Sequence, residues 1–124
     1  MKYRMRAAIV ASKYKDKLIL VRKVGSNTWE LPGGRKEEDE SVFCCAIREL
    51  QEETGALEFT MTPVKECYDE KNRVFDMLFC AEVIQLSSLD YSHLEIAEIG
   101  LFDELPAFLT YPHRTKYFLE GIGG

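Results

Sequence analysis

Apolar and polar positions along the chain keep a strand-like pattern on either side of one helical interval. Residues 4–12 and 17–24 are two apolar-rich runs, and "KYKD" between them reads as a hairpin turn. A loop follows through Gly25, Ser26 and Asn27. Trp29 to Leu31 reads as a short strand that ends at Pro32, Gly33 and Gly34, where Pro fixes φ and glycine permits what other residues avoid. Over 41–54 the pattern becomes helical, with Ser41 or Asp39 as N-cap and Gly55 as the stop. Two long extended runs, 57–69 and 73–86, follow around a polar "DEKN" turn. Phe75, Met77, Phe79, Ala81 and Val83 alternate along the second, which predicts one buried face. A polar loop, 87–94, leads to a strand near 96–102, and the tail, 103–120, reads as one or two short helices broken at Pro106 and Pro112. Strands around a central helix, with a helical tail, predict a layered α/β architecture. The 124 residues suit a single domain over 1–124.

The central helix carries an anomaly. On a wheel at 100° per residue, Val42, Phe43, Ala46, Ile47, Leu50 and Thr54 share an arc of about 140°, the expected core face. Glu49, Glu52 and Glu53 share the adjoining arc of about 100°, at i,i+3 and i,i+4 spacings that destabilise a helix. Glu53 points between Val42 and Ala46, inside the apolar arc. Between Glu37 and Glu53 there are seven acids and one Arg, a local charge of −6. A solvated acidic face would not aim a carboxylate at the core. The pattern implies a missing counterion, and hard divalent cations such as Mg²⁺ favour carboxylate oxygens together with phosphate and water.

Overall charge and cysteine usage narrow the setting. A net charge of −5 argues against bulk attraction to nucleic acid or anionic membrane, so no stable nucleic-acid binding is expected. No apolar run approaches the roughly 20 residues of a membrane span. The basic N-terminal stretch has an apolar core only from Ala7 to Ala11, too short for a signal peptide and better read as a strand. Cys44, Cys45, Cys67 and Cys80 contain no CxxC pair, so they read as reduced, mostly buried thiols of a cytoplasmic protein.

The acidic helix also completes a signature. Gly34, Glu40 and the run Arg48-Glu49-Leu50-Gln51-Glu52-Glu53-Thr54-Gly55-Ala56 resemble the Nudix box, with Gly34, Glu40, Arg48, Glu49, Glu52, Glu53 and Gly55 at matching spacing. Ala56 departs from it, since the family usually places a larger aliphatic there. "WELPGG" before the box and "FDELP" near the end are similar to the family too. The resemblance implies a mixed β-sheet sandwiched between helices (α/β/α), and a loop–helix–loop made by the box. It implies Mg²⁺-dependent hydrolysis, with Mn²⁺ a substitute, of a diphosphate bond in a nucleoside diphosphate derivative. It makes Glu49, Glu52 and Glu53 the metal ligands with the Gly33 carbonyl, and pairs Arg48 with Glu40 to brace the helix. A fourth carboxylate often comes from downstream, for which Glu98 is the better candidate and Glu95 the weaker.

Physical chemistry agrees with this expectation. A polyphosphate and an acidic site meet only through bridging cations, which also activate water. Further candidates are Trp29 for base stacking, Tyr68, Phe75 and Phe79 for a nucleoside pocket, and Arg4, Arg6 and Lys23 for phosphates. Each also fits a packing or solvated role. His93 and His113 lack metal-ligand spacing. Neither a proline about 15 residues past the box nor a tyrosine about 17 past it is present, and those mark two other subfamilies. The small-molecule substrate expected is therefore a (deoxy)nucleoside triphosphate, canonical or oxidised, for a monomer or homodimer of MutT-like type. The rival is a non-catalytic nucleotide or metabolite sensor on the same fold, although such a module would usually have lost box acids.

Overall fold

The computed structural model describes residues 3–89 and 95–120. β1 (Arg4–Tyr14) and β2 (Lys17–Lys23) form the expected hairpin. Its turn residues Lys15 and Asp16 both take positive φ, 52° and 66°, the two-residue geometry that matches strand twist. The two strands then splay, and the segment 30–35 fills the gap. Glu30 exchanges backbone hydrogen bonds with Val21, Val10 N–H donates to the Pro32 carbonyl, and β3 (Gly33–Arg35) pairs antiparallel with Ala7–Ile9. The sequence reading placed a turn at Gly33–Gly34; the tertiary ladder extends them into a strand instead.

α1 (Val42–Thr54) is capped at both ends as its sequence requires. The Ser41 side chain, not Asp39, accepts from the Cys44 N–H at 3.1 Å, and Gly55 closes the helix at φ 79° with its N–H on the Gln51 carbonyl. β4 (Ala56–Asp69) and β5 (Val74–Leu86) form a long antiparallel pair, and β6 (Ile96–Phe102) pairs with β2. The tail holds one helix among the described residues, α2 (Pro112–Leu119). Pro112 does not break a helix but starts one, at the first-turn position where its missing N–H costs nothing.

The sheet runs β4-β5-β1-β2-β6, with β3 beside β1, and only β1 and β5 run parallel. It is a mixed sheet between two helices. Ala8, Val10, Phe79, Ala81 and Val83 meet Ala46 and Leu50 of α1 on one face. Ile9, Ala11 and Leu78 meet Phe118 of α2 on the other. Both faces of β1 are therefore covered, and Ala7 through Ser12 are buried without alternation. No helix among the described residues is long and apolar enough to cross a membrane.

The core face of α1 differs from the wheel. Cys45, Ala46, Glu49, Leu50, Glu53 and Thr54 are buried, whereas Phe43 is 45% exposed. The buried stripe is rotated towards the acids, so two of the three glutamates lie within it. The wheel already put Glu53 in the apolar arc; Glu49, in the adjoining acidic arc, is buried as well. All four cysteines are free, but Cys44 is exposed and only Cys45 is fully buried.

Candidate active site

Gly33 and Gly34 bring the backbone of β3 against the acidic face of α1. A Cβ on Gly34 would lie 2.5 Å from the carboxyl carbon of Glu49, and one on Gly33 would lie 2.4 Å from the Ala8 carbonyl oxygen. Glycine is required at Gly33 by the Ala8 backbone, while at Gly34 its missing Cβ leaves room for the Glu49 carboxylate, which any larger residue would displace. The Gly33 N–H donates to Glu53 Oε1 at 3.0 Å. That is the one hydrogen bond Glu53 receives among the described residues, although Glu53 is only 8% exposed.

Burial pushes the Glu53 carboxyl up to about 7, against the weaker opposing pull of the Gly33 N–H and Lys23. Glu49 is also raised by burial. Arg48 offsets this in part, with Nη1 2.9 Å from Glu49 Oε1 and 3.3 Å from the exposed Glu52. The same guanidinium grips Glu40 bidentately, Nε to Oε2 at 2.6 Å and Nη2 to Oε1 at 2.9 Å. These bonds, with the Glu37 N–H, hold the Glu40 carboxyl down at about 2. Glu40 is therefore an anion that fixes Arg48, while burial raises the proton affinity of Glu53, which has little to offset its charge.

An open cavity of about 480 Å³ lies against two of these carboxylates, while Glu40, Arg48 and the predicted ligand Glu52 are not on its lining. Glu49 and Glu53 line it with Glu30, Glu95 and Lys23 beside Gly33 and Gly34; Arg6, Arg35, Asp76, Tyr111 and Arg114 complete it. Glu95, the weaker of the two downstream candidates, lies on the cavity. Glu98 does not: it is exposed on β6 and bonded to Arg22 Nε at 3.1 Å. Of the basic candidates Arg6 and Lys23 reach the cavity and Arg4 does not.

None of the proposed aromatics lines the cavity. Trp29 packs edge-on against Phe102 at 4.9 Å, Phe79 is core, and Tyr68 stacks on Phe75 at 5.4 Å away from it. His113 is exposed, and His93 lies outside the described residues. The sequence reading missed Asp76, Tyr111, Arg114, Arg35 and Glu30. A usable signal existed for Asp76, an acid in the middle of an apolar strand.

The donor set suits a hard divalent cation: only oxygen atoms, two carboxylates withdrawn from water, and one of these nearly unpartnered. Among the described residues no three acid, imidazole or thiol groups form a ready-made cage.

Comparison with known proteins gives the same direction. The family model for the NUDIX domain matches residues 2–115. The mRNA-decapping protein g5R of African swine fever virus is 58% identical over 31 residues, 25% of this chain and 13% of that protein. A putative 8-oxo-dGTP diphosphatase of Bacillus subtilis is 36% identical over 53 residues, 43% of this chain and 36% of its own length. The chain thus spans well under two thirds of these curated relatives. Among solved structures, the Bacillus subtilis pyrophosphohydrolase BsRppH superposes with a TM-score of 0.73 at 23% identity, over 94% of this chain and 82% of that one. At that identity the likeness concerns the fold.

Proposed function

The chain belongs to the Nudix family, and on that premise we propose that it hydrolyses a diphosphate bond of a nucleoside diphosphate derivative with a divalent cation, Mg²⁺ or Mn²⁺. The substrate class we propose is a (deoxy)nucleoside triphosphate, canonical or oxidised. The observation that carries this is Glu53: a buried carboxylate on a cavity, with one N–H partner and a proton affinity raised to about 7. A residue serving stability alone would not be left in that state.

Glu49, Glu52 and Glu53 would hold the cation, with the Gly33 carbonyl as a further oxygen donor. When bound, the cation supplies charge neutralisation at phosphorus and a more acidic water. The chain's own groups do the rest. Arg48, fixed by Glu40, keeps Glu49 oriented from one side, and Gly34 admits that carboxylate from the other. Glu53 is the group whose proton is exchanged as the site charges. Lys23 and Arg35 add positive charge to the lining, which a polyanion requires. A cavity of about 480 Å³ lies within the range of small-ligand sites and fits one nucleotide. The names of the matched relatives refer to mRNA decapping and to 8-oxo-dGTP; the triphosphate reading follows the second.

Hydrolysis of a nucleotide panel with Mg²⁺, with products identified, tests the proposal. The expected result is a nucleoside monophosphate from a triphosphate, and no turnover after chelation of the metal. Nucleotide binding without turnover across the panel would overturn it in favour of a sensor.

A further inference from the structure

Away from the glutamates, the same cavity carries a second construction that the hydrolytic site does not use. Asp76 is 2% exposed on β5. Arg6 Nε and Nη2 reach its two oxygens at 3.0 and 2.9 Å, and Arg6 Nη1 stands 3.5 Å from Asp69. Arg6 gets there through a β-bulge: between Met5 and Ala7 the β1–β5 ladder skips a residue, and Arg6 is the residue skipped. Bulges re-aim side chains in this way beside functional sites.

Arg114, from the first turn of α2, approaches the same carboxylate at 3.6 Å, an ion pair without a hydrogen bond. Its guanidinium lies 4.1 Å over the Tyr111 ring. Arg114 is thus held by charge below and by an aromatic plate beside it, yet among the described residues none of its N–H groups has an acceptor. Arg6 commits three of its five N–H groups to Asp76 and Asp69, whereas Arg114 commits none among the described residues. Asp76 already accepts from Arg6 at both oxygens, so the main thing this wall offers a ligand is the donors of Arg114.

We propose that the Arg6–Asp76–Arg114 wall is a recognition element in which Arg114 donates to an acceptor-rich group of the substrate, with Asp76 and Arg6 as positioning residues. Two parts of a nucleotide have that chemistry. One is the phosphate chain; the other is a base edge carrying carbonyl and ring-nitrogen acceptors, as in guanine, which a planar guanidinium reads bidentately. Adenine offers a donor at the corresponding place and is discriminated against in the second case. The inference rests on the hydrolase reading above.

Wild type, R114Q and R114K are compared by calorimetric binding of inorganic tripolyphosphate with Mg²⁺, and by steady-state hydrolysis of GTP and ATP. R114Q is expected to raise KM at least about fivefold, the low end of one charged bidentate contact, with kcat within about twofold. R114K is expected to recover only part of the loss. Equal weakening of tripolyphosphate, GTP and ATP identifies the phosphate chain. Loss confined to GTP, with tripolyphosphate binding intact, identifies the base edge. D76N keeps the Arg114 charge but loosens its seat, so it should weaken the same ligand as R114Q, and the double variant should be no worse than R114Q alone. If D76N does not fold, R114Q decides alone. An R114Q enzyme with wild-type KM and wild-type tripolyphosphate binding overturns this inference and leaves the hydrolase reading standing. Wild type that neither binds tripolyphosphate nor turns over any nucleotide removes both.

Discussion

At one wall of the cavity Asp76 is buried and receives two hydrogen bonds from Arg6 and a second guanidinium from Arg114. At the other, Glu53 is buried nearly as deeply and receives one N–H. Both carboxylates have left water. The first is compensated by side chains of the same chain, whereas burial of the second, with one N–H partner, raises its pKa to about 7. The difference separates two uses of buried charge. A satisfied cluster fixes geometry, while an unsatisfied one has an affinity for something outside the chain. Arg48 shows the boundary between them, since it is locked to Glu40 on one side and touches Glu49 and Glu52 on the other.

The sharpest way to break this contrast is Glu53→Gln. It should lower kcat by at least about 10²-fold, since it removes the group assigned to metal binding or proton exchange. The metal-free melting temperature at pH 8 should not fall, because an uncompensated buried charge is also removed. Full activity in this variant would sink the assignment. Gly34→Ala comes next: its Cβ would sit 2.5 Å from the Glu49 carboxyl carbon, so that carboxylate must move. A displacement of that order costs about 10²-fold in activity, and a Mg²⁺-dependent melting shift should shrink with it. If neither changes, Gly34 does not set the position of Glu49.

Removing the compensated acid should look different. Asp76→Ala strands Arg6 and is expected to destabilise by about 3 kcal/mol in urea unfolding, a loss that Mg²⁺ does not relieve. Glu40→Gln should be milder than Glu53→Gln, lowering activity by about tenfold. Equal damage from the two would collapse the division between bracing and chemistry.

The smallest effect is a pH dependence. A folded Glu53 pKa of about 7 lies above the unfolded value of 4.5, so the metal-free fold binds the extra proton between them. Its contribution therefore falls as pH rises from 4.5 through 7 and is constant above. A cation must displace that proton, so the Mg²⁺-induced melting shift should be larger at pH 8 than at pH 5.5. Glu40 acts in the opposite sense: with a folded value of about 2, its contribution is whole above 4.5 and is lost as pH falls towards 2. A Mg²⁺ shift independent of pH would remove Glu53 from the ligand set.

Local and repeating features were legible in the sequence. Ser41 and Gly55 bounded α1 because caps are decided within a few residues. The spacing of Glu49, Glu52 and Glu53 put three acids on one side of α1 because a helix fixes which side chains share a side, although only Glu49 and Glu53 line the cavity. The hairpins and the order of strands around the helix followed from short-range periodicity. The wheel aimed Glu53 at the core, and it is buried there; it did not show that Glu49 leaves water as well, because the segment 30–35 that packs against it is placed by tertiary pairing with β1 and β2. Nor did the sequence separate Glu95 from Glu98, since the pairing of β6 with β2 sets Glu98 beside Arg22 and off the cavity, while Glu95 lines it. Asp76 stood out as an odd acid in an apolar strand, but its partners lie 70 residues before it and on the last helix. Contacts at such separation leave no periodic trace in a chain: local backbone preference chose the elements, and packing of the folded sheet chose which charges face one another.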